Sequence, residues 1–178
     1  MKWKQYQKEA FQTNANLGEG LDTIHMLLGM STEIGELQDA FKKKIAYGKK
    51  IDWKNVKEEV GDLFWYIAGL AEFKGWYMDE FVHTPVTDYE IEMIDKTDVN
   101  TMLLGLTCQV SDLIAETSRL SLASLIAGVV FTCHKLEFDV ERILENNIEK
   151  LRERYPNSFT KYDALNRNLK VESEVLDE

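Results

Sequence analysis

Apolar residues recur at spacings of three and four along most of this chain, and only two prolines interrupt its 178 residues. That period is typical of α-helices with one buried face, and few segments show the alternation of a strand. The sequence therefore predicts an all-α fold. The predicted helices cover about residues 2–13, 22–46, 53–73, 99–119, 121–136 and 140–154. We expect Asp22 or Thr23 to cap the second helix, Asp52 to cap the third and Pro156 to end the last.

Two similar motifs place acids beside the buried faces of the second and third helices. "EIGE" carries Glu33 and Glu36, and "EVGD" carries Glu59 and Asp62. Side chains three positions apart on a helix lie roughly 5–6 Å from each other. Both pairs stand at the same angle to the apolar seam, so four carboxylates converge if the two helices pack together. The glycine inside each motif costs on the order of 1 kcal/mol relative to alanine, and a bound cation or a close neighbour can offset that cost.

The same helix pair recurs later in the chain. "MLLGMSTEIGEL", from Met26, matches "MLLGLTCQVSDL", from Met102, at five of twelve positions, and "EVGDLFWYIA" has a looser counterpart in "SLASLIAGVV". This repeat predicts a four-helix-type bundle built from two repeated helix pairs. At the four acidic positions the second copy holds Gln109, Asp112, Ser121 and Ser124. We therefore expect the second copy to be a scaffold and the chemistry to stay with the first.

The repeat also predicts how a single domain of residues 1–178 is organised. Residues 1–74 form the metal-binding half, residues 75–98 a linker, residues 99–160 the second half with its ending, and residues 161–178 an acidic, solvated tail. The expected core seams of the metal-binding half are Leu27, Met30, Ile34, Leu37 and Phe41 in one helix, and Val56, Val60, Leu63, Ile67 and Leu70 in the next.

Four carboxylates with no His or Cys among them predict a hard oxygen site. Such a site suits Mg²⁺, with Mn²⁺ as the alternative, rather than zinc. Mg²⁺ held by a few carboxylates usually completes its coordination with water and substrate phosphates. The motifs therefore indicate phosphate chemistry.

The composition narrows the choice of partners. The balance of 21 Lys and Arg against 31 Asp and Glu gives a net charge of -10, which argues against binding to a nucleic-acid backbone. Cys108 and Cys133 provide neither a disulfide framework nor zinc spacing. The amino terminus has no signal-peptide core, and no apolar run reaches about 18 residues. We therefore expect a cytoplasmic protein without a membrane partner.

Three segments together resemble a known family. "HMLLGMSTEIGELQDAFKK", "EEVGDLFWYIAGLA" and "NIEKLRERYPNSF" are similar to the two metal helices and the ending of the MazG-like nucleotide pyrophosphohydrolases, in the all-α NTP pyrophosphatase superfamily. The resemblance covers roughly residues 5–74 and 138–160. There are two departures: the second copy separates the ending from the metal helices, and Thr32 stands where many members carry a further Glu.

The resemblance implies hydrolysis of a nucleoside triphosphate, usually a deoxynucleotide, to the monophosphate and pyrophosphate. Glu33, Glu36, Glu59 and Asp62 are then the Mg²⁺ ligands. In the family, one of these acids orients the water that attacks the α-phosphorus. We expect Glu33 to have this role, with Glu36 as the other catalytic candidate.

The resemblance also implies substrate contacts outside the acids. The expected contacts are Lys43, Lys44, Trp65, Asn147, Lys150, Arg154 and Tyr155. Lys43 and Lys44 could equally cap the carboxyl end of their helix. Tyr155 either stacks on the base or closes the bundle, and Trp65 and Tyr66 either line the base pocket or belong to the core. His25 matches a His of the family pattern, and as a lone His we expect it to be structural.

Two other function classes stay open from the sequence. The first is a non-catalytic scaffold that binds nucleotide without cleaving it. The second is a di-iron carboxylate bundle, which needs Glu-x-x-His on facing helices. "DTIH" and "EFVH" have that spacing but lie away from the paired acids.

The repeat bears on assembly as well. Family members with one copy per chain complete each metal site with helices from a neighbouring subunit. In this chain the second copy can take the neighbour's place. We therefore expect a homodimer of fused pseudo-dimers in which each chain completes its own site.

Overall fold

A computed structural model describes residues 1–18, 20–82, 87–156, 159–166, 168, 171–172 and 174. Every regular element in these ranges is helical, which confirms the all-α prediction. The elements are α1 (Trp3–Phe11), α2 (Leu21–Tyr47), α3 (Trp53–Phe73), a 3-10 turn (Met78–Glu80), α4 (Asp88–Lys96), α5 (Val99–Ala115), α6 (Arg119–Lys135), α7 (Val140–Arg154) and α8 (Lys161–Leu165).

The helices pack as two pairs that share one core. Helix α2 pairs with α3, α5 pairs with α6, and α2 packs against α5 to join the pairs. At that junction the Gln38 amide donates to the Leu103 carbonyl and to the Thr107 hydroxyl, each at 2.7 Å. Helix α7 returns to the first pair and lies on α3 together with α1. The predicted bundle of two helix pairs is therefore confirmed.

The core follows the predicted seams. All the seam residues of α2 and α3 are buried except Leu27, which is half-buried against the others. The same cluster continues through Leu103, Leu106 and Leu113 of α5, so both pairs share it. Within the described residues, no single helix is long and apolar enough to cross a membrane. Helices α6 and α7 taken together, with a bend of 107° between them, are long and apolar enough by length and composition alone.

The helix ends confirm some predicted caps and correct others. Asp52 caps α3 as predicted, accepting from the Asn55 amide at 3.2 Å. Helix α2 begins earlier than predicted, with Gly20 as its N-cap at a φ of 86°, so the predicted Asp22 or Thr23 cap is wrong. The Asp22 carboxylate instead accepts from the Leu17 amide at 2.9 Å and closes the preceding loop.

The first helix of the second pair ends before residue 119. Ser118 and Ser121 form a reciprocal capping box that starts α6 at Arg119, which leaves α5 to end at Ala115. A serine that caps one helix cannot continue the helix before it, because its backbone is extended.

The predicted linker and tail are more ordered than expected. Residues 75–98 contain the 3-10 turn and α4, and the fully buried Met78 donates its amide to Gln7 at 2.9 Å. The predicted tail contains α8 and a buried Glu172. Local side-chain bonds and burial therefore order segments whose polar composition resembles that of loops.

Candidate metal centre and nucleotide cavity

Three of the four predicted acids meet between α2 and α3. Oxygen atoms of Glu33, Glu59 and Asp62 lie within 4.8 Å of one another. Glu33 and Asp62 are half-buried and Glu59 is buried. The seams of the two helices face each other in the core, and this brings the flanking acids together as the sequence predicts. The donors in this group are all carboxylate oxygens, which fits a hard divalent cation such as Mg²⁺.

Glu36 lies outside this group. It is exposed one helical turn beyond Glu33 and borders a separate cavity together with Glu59. Its charge still contributes to raising the pKa values of Glu33 and Glu59. The metal-binding and catalytic roles of Glu36 therefore stay predictions.

Burial and crowding change the protonation of the clustered acids. Loss of water, followed by a hydrogen bond to Glu59 and the charges of neighbouring acids, raises the pKa of Glu33 to about 9. Loss of water also raises the pKa of Glu59 to about 7, although the hydrogen bond with Glu33 acts in the opposite direction. Carboxylates this close resist joint ionisation, and a nearby cation favours it. Without a cation, the pair is expected to retain a shared proton near neutral pH.

A buried network holds Asp62 from behind. Lys150 Nζ donates to the two Asp62 oxygens at 2.6 and 2.7 Å, and to Glu58 at 3.2 Å. Asn147 Nδ2 donates to Asp62 Oδ1 at 2.8 Å, while Asn147 Oδ1 accepts from the Tyr6 hydroxyl at 2.8 Å. The two oxygens of a carboxylate accept about four hydrogen bonds in total. Lys150 donates to both Asp62 oxygens and Asn147 to one of them, so one lone pair of Asp62 stays available to a cation. The network fixes the orientation of this ligand.

Two predicted substrate contacts belong to that network. Lys150 has no exposed side-chain surface and Asn147 is buried, and the side-chain nitrogens of both donate to Asp62. As direct substrate contacts they stay predictions. Their observed position is that of second-layer residues, which orient a metal ligand.

Gly61 explains why one acid motif needs its glycine. A Cβ atom at Gly61 would lie 3.1 Å from both Cβ and Nδ2 of Asn147, which is tighter than ordinary contact. The glycine therefore lets α7 approach α3 closely enough for Asn147 to reach Asp62. A Cβ at Gly35, the glycine of the other motif, would meet open space. Of the two motif glycines, a close neighbour therefore explains only Gly61.

An aromatic cavity opens beside Glu33 and Asp62. Its volume is about 310 Å³, and its lining includes Trp65, Tyr66, Tyr155, Phe159, His25 and Arg154. The Trp65 and Tyr66 rings meet edge-on at 4.9 Å between centroids, and the Tyr155 and Phe159 rings lie 5.4 Å apart. Predicted contacts Trp65, Arg154 and Tyr155 are therefore brought together. A flat heterocycle has apolar faces and a polar edge, which suits a cavity of this lining.

A second, lysine-lined cavity opens on the other side of the acids. Its volume is about 630 Å³, and Lys43, Lys49 and Lys50 line it together with Glu36 and Glu59. Lys43 also pairs with Asp39 on its own helix. Lys44 is exposed on the last turn of α2, and its carbonyl accepts from the Gly48 amide at 3.0 Å. Lys43 thus borders the site, whereas Lys44 lies at the helix terminus.

Some residues in or near the candidate site carry no recognisable sequence signal. Both polar atoms of the Asn14 amide and the Nδ1 atom of His25 are buried, with no partner in the described part of the chain. Asn14 packs over Gly69, one turn along α3 from Trp65. Lys49 and Lys50 come from the α2–α3 loop, and Glu172, from the predicted tail, reaches Arg154. Sequence reasoning missed Asn14, Lys49, Lys50 and Glu172, because each acts through a long-range contact or a loop.

The second helix pair keeps the geometry of the acid site without its charge. Gln109 and Ser124 stand where Glu33 and Asp62 stand in the first pair, and Gln109 Nε2 donates to Ser124 Oγ at 3.3 Å. Asp112, the surviving acid, is exposed. A neutral amide and a hydroxyl are poor ligands for Mg²⁺ compared with carboxylates. These contacts support a scaffold role for the second pair.

The di-iron alternative gains no support. His25 contacts the Trp65 and Tyr66 rings, 6.3 and 5.6 Å away between centroids, and it is not in the acid group. The histidine of the second predicted motif, His83, lies outside the described residues.

Three carboxylates set between an aromatic and a lysine-lined cavity have the features of a helical, metal-assisted phosphohydrolase. A family model described as dUTPase matches residues 5–155, and the chain belongs to that family. The family is all-helical and related to the MazG-type all-α NTP pyrophosphatases, and its chemistry is the hydrolysis of nucleoside triphosphates, generally with a divalent metal. No curated protein and no solved structure matched the chain.

The extent of the family match bears on the second helix pair. It spans residues from α1 to the end of α7, and α5 and α6 lie within that range. The sequence resemblance to MazG-like enzymes is confirmed only at the level of this related family.

Proposed function

We propose that this protein hydrolyses a deoxynucleoside triphosphate, with dUTP as the first candidate, to the monophosphate and pyrophosphate in an Mg²⁺-dependent reaction. The observation that carries the proposal is the position of Glu33, Glu59 and Asp62 between the two cavities. A nucleotide that spans both cavities presents its α-phosphate at the acids. The family description supports dUTP within this class.

The three acids are the proposed ligands of the cation, and Glu36 is a further ligand from the open side. Mg²⁺, or Mn²⁺ in its place, supplies charge neutralisation on the phosphates and activation of water when bound. Glu33 faces the aromatic cavity, and we assign it the orientation of the attacking water and acceptance of its proton. Asn147 and Lys150 act through Asp62, whose carboxylate they hold in place.

The different linings of the two cavities predict the orientation of the bound substrate. The base enters the aromatic cavity, where Trp65, Tyr66 and Tyr155 offer ring surfaces. The β- and γ-phosphates extend toward Lys43, Lys49 and Lys50 across the acids. Attack at the α-phosphorus then releases pyrophosphate on the side where cations can neutralise its charge.

Product analysis with matched variants tests the proposal. Wild type incubated with dUTP and Mg²⁺ should yield dUMP and pyrophosphate by anion-exchange chromatography. Asp62→Asn should lower the rate by on the order of 10² or more, because one metal ligand is weakened. Asp112→Asn, the same substitution at the surviving acid of the second pair, should retain the wild-type rate. Nucleotide binding without product would instead support the non-catalytic scaffold.

A further inference from the structure

Arg154 is held by a carboxylate from the far carboxyl-terminal segment. Glu172 Oε1 accepts from Arg154 Nε at 3.1 Å, and Glu172 Oε2 accepts from Arg154 Nη2 at 2.6 Å. The pair is buried, with the Glu172 side chain 4% exposed and the Arg154 side chain 14% exposed. The Arg154 guanidinium also lies over the Tyr155 ring, 5.9 Å from its centroid. Two neighbours therefore fix this side chain.

The guanidinium keeps donors for a ligand while it is held. Arginine carries five N–H donors in a rigid fork, and the Glu172 pair uses one on Nε and one on Nη2. Both donors on Nη1 lie outside the pair. Arg154 lines the aromatic cavity together with Glu33 and Asp62. The donors that Glu172 does not use are therefore part of a positively charged side chain at the proposed nucleotide site.

We infer that Glu172 is a positioning residue for nucleotide binding, which fixes the Arg154 fork so that its remaining donors meet a substrate phosphate. The inference rests on the proposed function. Removing one partner of a buried ion pair is strongly unfavourable, which argues against a pair that each substrate must break. The segment that carries Glu172 also supplies Phe159 and Ala164 to the cavity wall, so it forms part of the site.

Glu172→Gln tests the inference, because glutamine keeps the shape and removes the charge. We expect KM for dUTP to rise about tenfold with kcat changed less than threefold, since a loosened Arg154 weakens binding of substrate and transition state alike. Glu9→Gln is the matched control. It breaks the pair between Glu9 of α1 and Arg152, an exposed arginine on the same helix as Arg154, and should leave KM unchanged. A lowered KM in Glu172→Gln would mean that Glu172 competes with the phosphate, and it would overturn the inference.

A double-mutant cycle separates positioning from general support of the fold. Arg154→Lys removes the fork but keeps the charge. If Glu172 acts through Arg154, Glu172→Gln should change KM less than twofold in the Arg154→Lys background. A full tenfold effect in that background would contradict the inference. Should Glu172→Gln fail to fold by circular dichroism, Glu172→Asp takes its place, with the same expected rise in KM and the same test.

A binding measurement keeps this inference distinct from the proposed reaction. Titration of a non-hydrolysable α,β-imido dUTP analogue with Ca²⁺, followed by isothermal titration calorimetry, gives Kd without turnover. The expected result is a tenfold weaker Kd for Glu172→Gln than for Glu9→Gln. Equal Kd values would overturn the positioning role. Tight binding of the analogue by a wild type that does not hydrolyse dUTP in the presence of Mg²⁺ would refute the reaction but leave this role standing.

Discussion

At the scale of single residues, the raised pKa of Glu33 makes the stability of the folded chain depend on pH. Its pKa of about 9 in the folded chain exceeds the ordinary value of 4.5, so between these values the folded state holds a proton that the unfolded state has lost. Stability therefore falls as pH rises through this range when no cation is bound. We expect the Tm in EDTA to be lower at pH 8.5 than at pH 6. Saturating Mg²⁺ should raise the Tm more at pH 8.5.

Glu33→Gln provides the control for that pH dependence. The neutral amide removes the titrating group and one source of repulsion, so its Tm in EDTA should vary less with pH than that of wild type and should be higher at pH 8.5. A wild-type Tm that increases from pH 6 to pH 8.5 in EDTA would contradict the assigned cause.

Lys150 tests the buried network around Asp62. Lys150→Met removes a buried charge and leaves the Asp62 carboxylate with the Asn147 amide alone among these contacts. Breaking a buried pair in this way costs about 3–5 kcal/mol, measured as the free energy of unfolding in urea. Lys43→Met breaks an exposed pair with Asp39, which also pairs with Lys42, so its urea midpoint should stay close to that of wild type. Equal costs for the two variants would argue against the network.

At the scale of elements, the two motif glycines give opposite predictions. Gly61→Ala forces a Cβ against Asn147, which Tyr6 and Asp62 hold in place, so α7 must shift. We expect a loss of about 1–3 kcal/mol in the free energy of unfolding. Gly35→Ala adds a Cβ in open space within α2 and should stabilise by about 0.5–1 kcal/mol. Calorimetry that shows the same sign for both would contradict the packing account.

Element boundaries show what the sequence could predict. Helices α3 and α7 match their predicted ranges, because apolar periodicity and an aspartate cap agree at each. The start of α2 was mispredicted because a glycine with positive φ serves as its cap and makes no side-chain bond. Helix α4 was missed because most of its residues are polar and only Ile94 is buried.

In the candidate site as well, local helical spacing predicts some residues, and only long-range packing reveals the others. Glu33, Glu59 and Asp62 could be placed together because helical spacing relates them to seams that must face each other. Contacts such as Arg154 with Glu172 could not, because nothing in local spacing relates α7 to the segment after α8. Asn147 and Lys150 were recognised as site residues, but only the packing of α7 on α3 shows that they face Asp62.

At the scale of the whole molecule, each chain carries the parts of one site. Arg154, from the ending, lines the same cavity as Glu33 and Asp62, because α7 follows the second helix pair in the chain and packs on α1 and α3 of the first half. A homodimer stays a proposal, and the exposed apolar stripe of Leu21, Ile24 and Leu28 on α2 supports it. Light scattering after size-exclusion chromatography tests the assembly.

Mixing two inactive chains tests whether the site is completed within one chain. Glu33→Gln and Arg154→Ala lie in the same cavity, so a hybrid dimer contains two sites that are each defective. We expect the mixture to stay inactive after co-refolding, with hybrid formation confirmed by pull-down of differently tagged chains. Recovery of a quarter or more of wild-type activity would show that Arg154 acts across subunits.

Isotope labelling shows which phosphorus atom of the deoxynucleoside triphosphate the water attacks. Wild type turns over dUTP with Mg²⁺ in H₂¹⁸O, and mass spectrometry locates the label in the products. Attack at the α-phosphorus places one ¹⁸O atom in dUMP and none in pyrophosphate, and this is the result we expect. Label in pyrophosphate, or release of dUDP and inorganic phosphate, would contradict it.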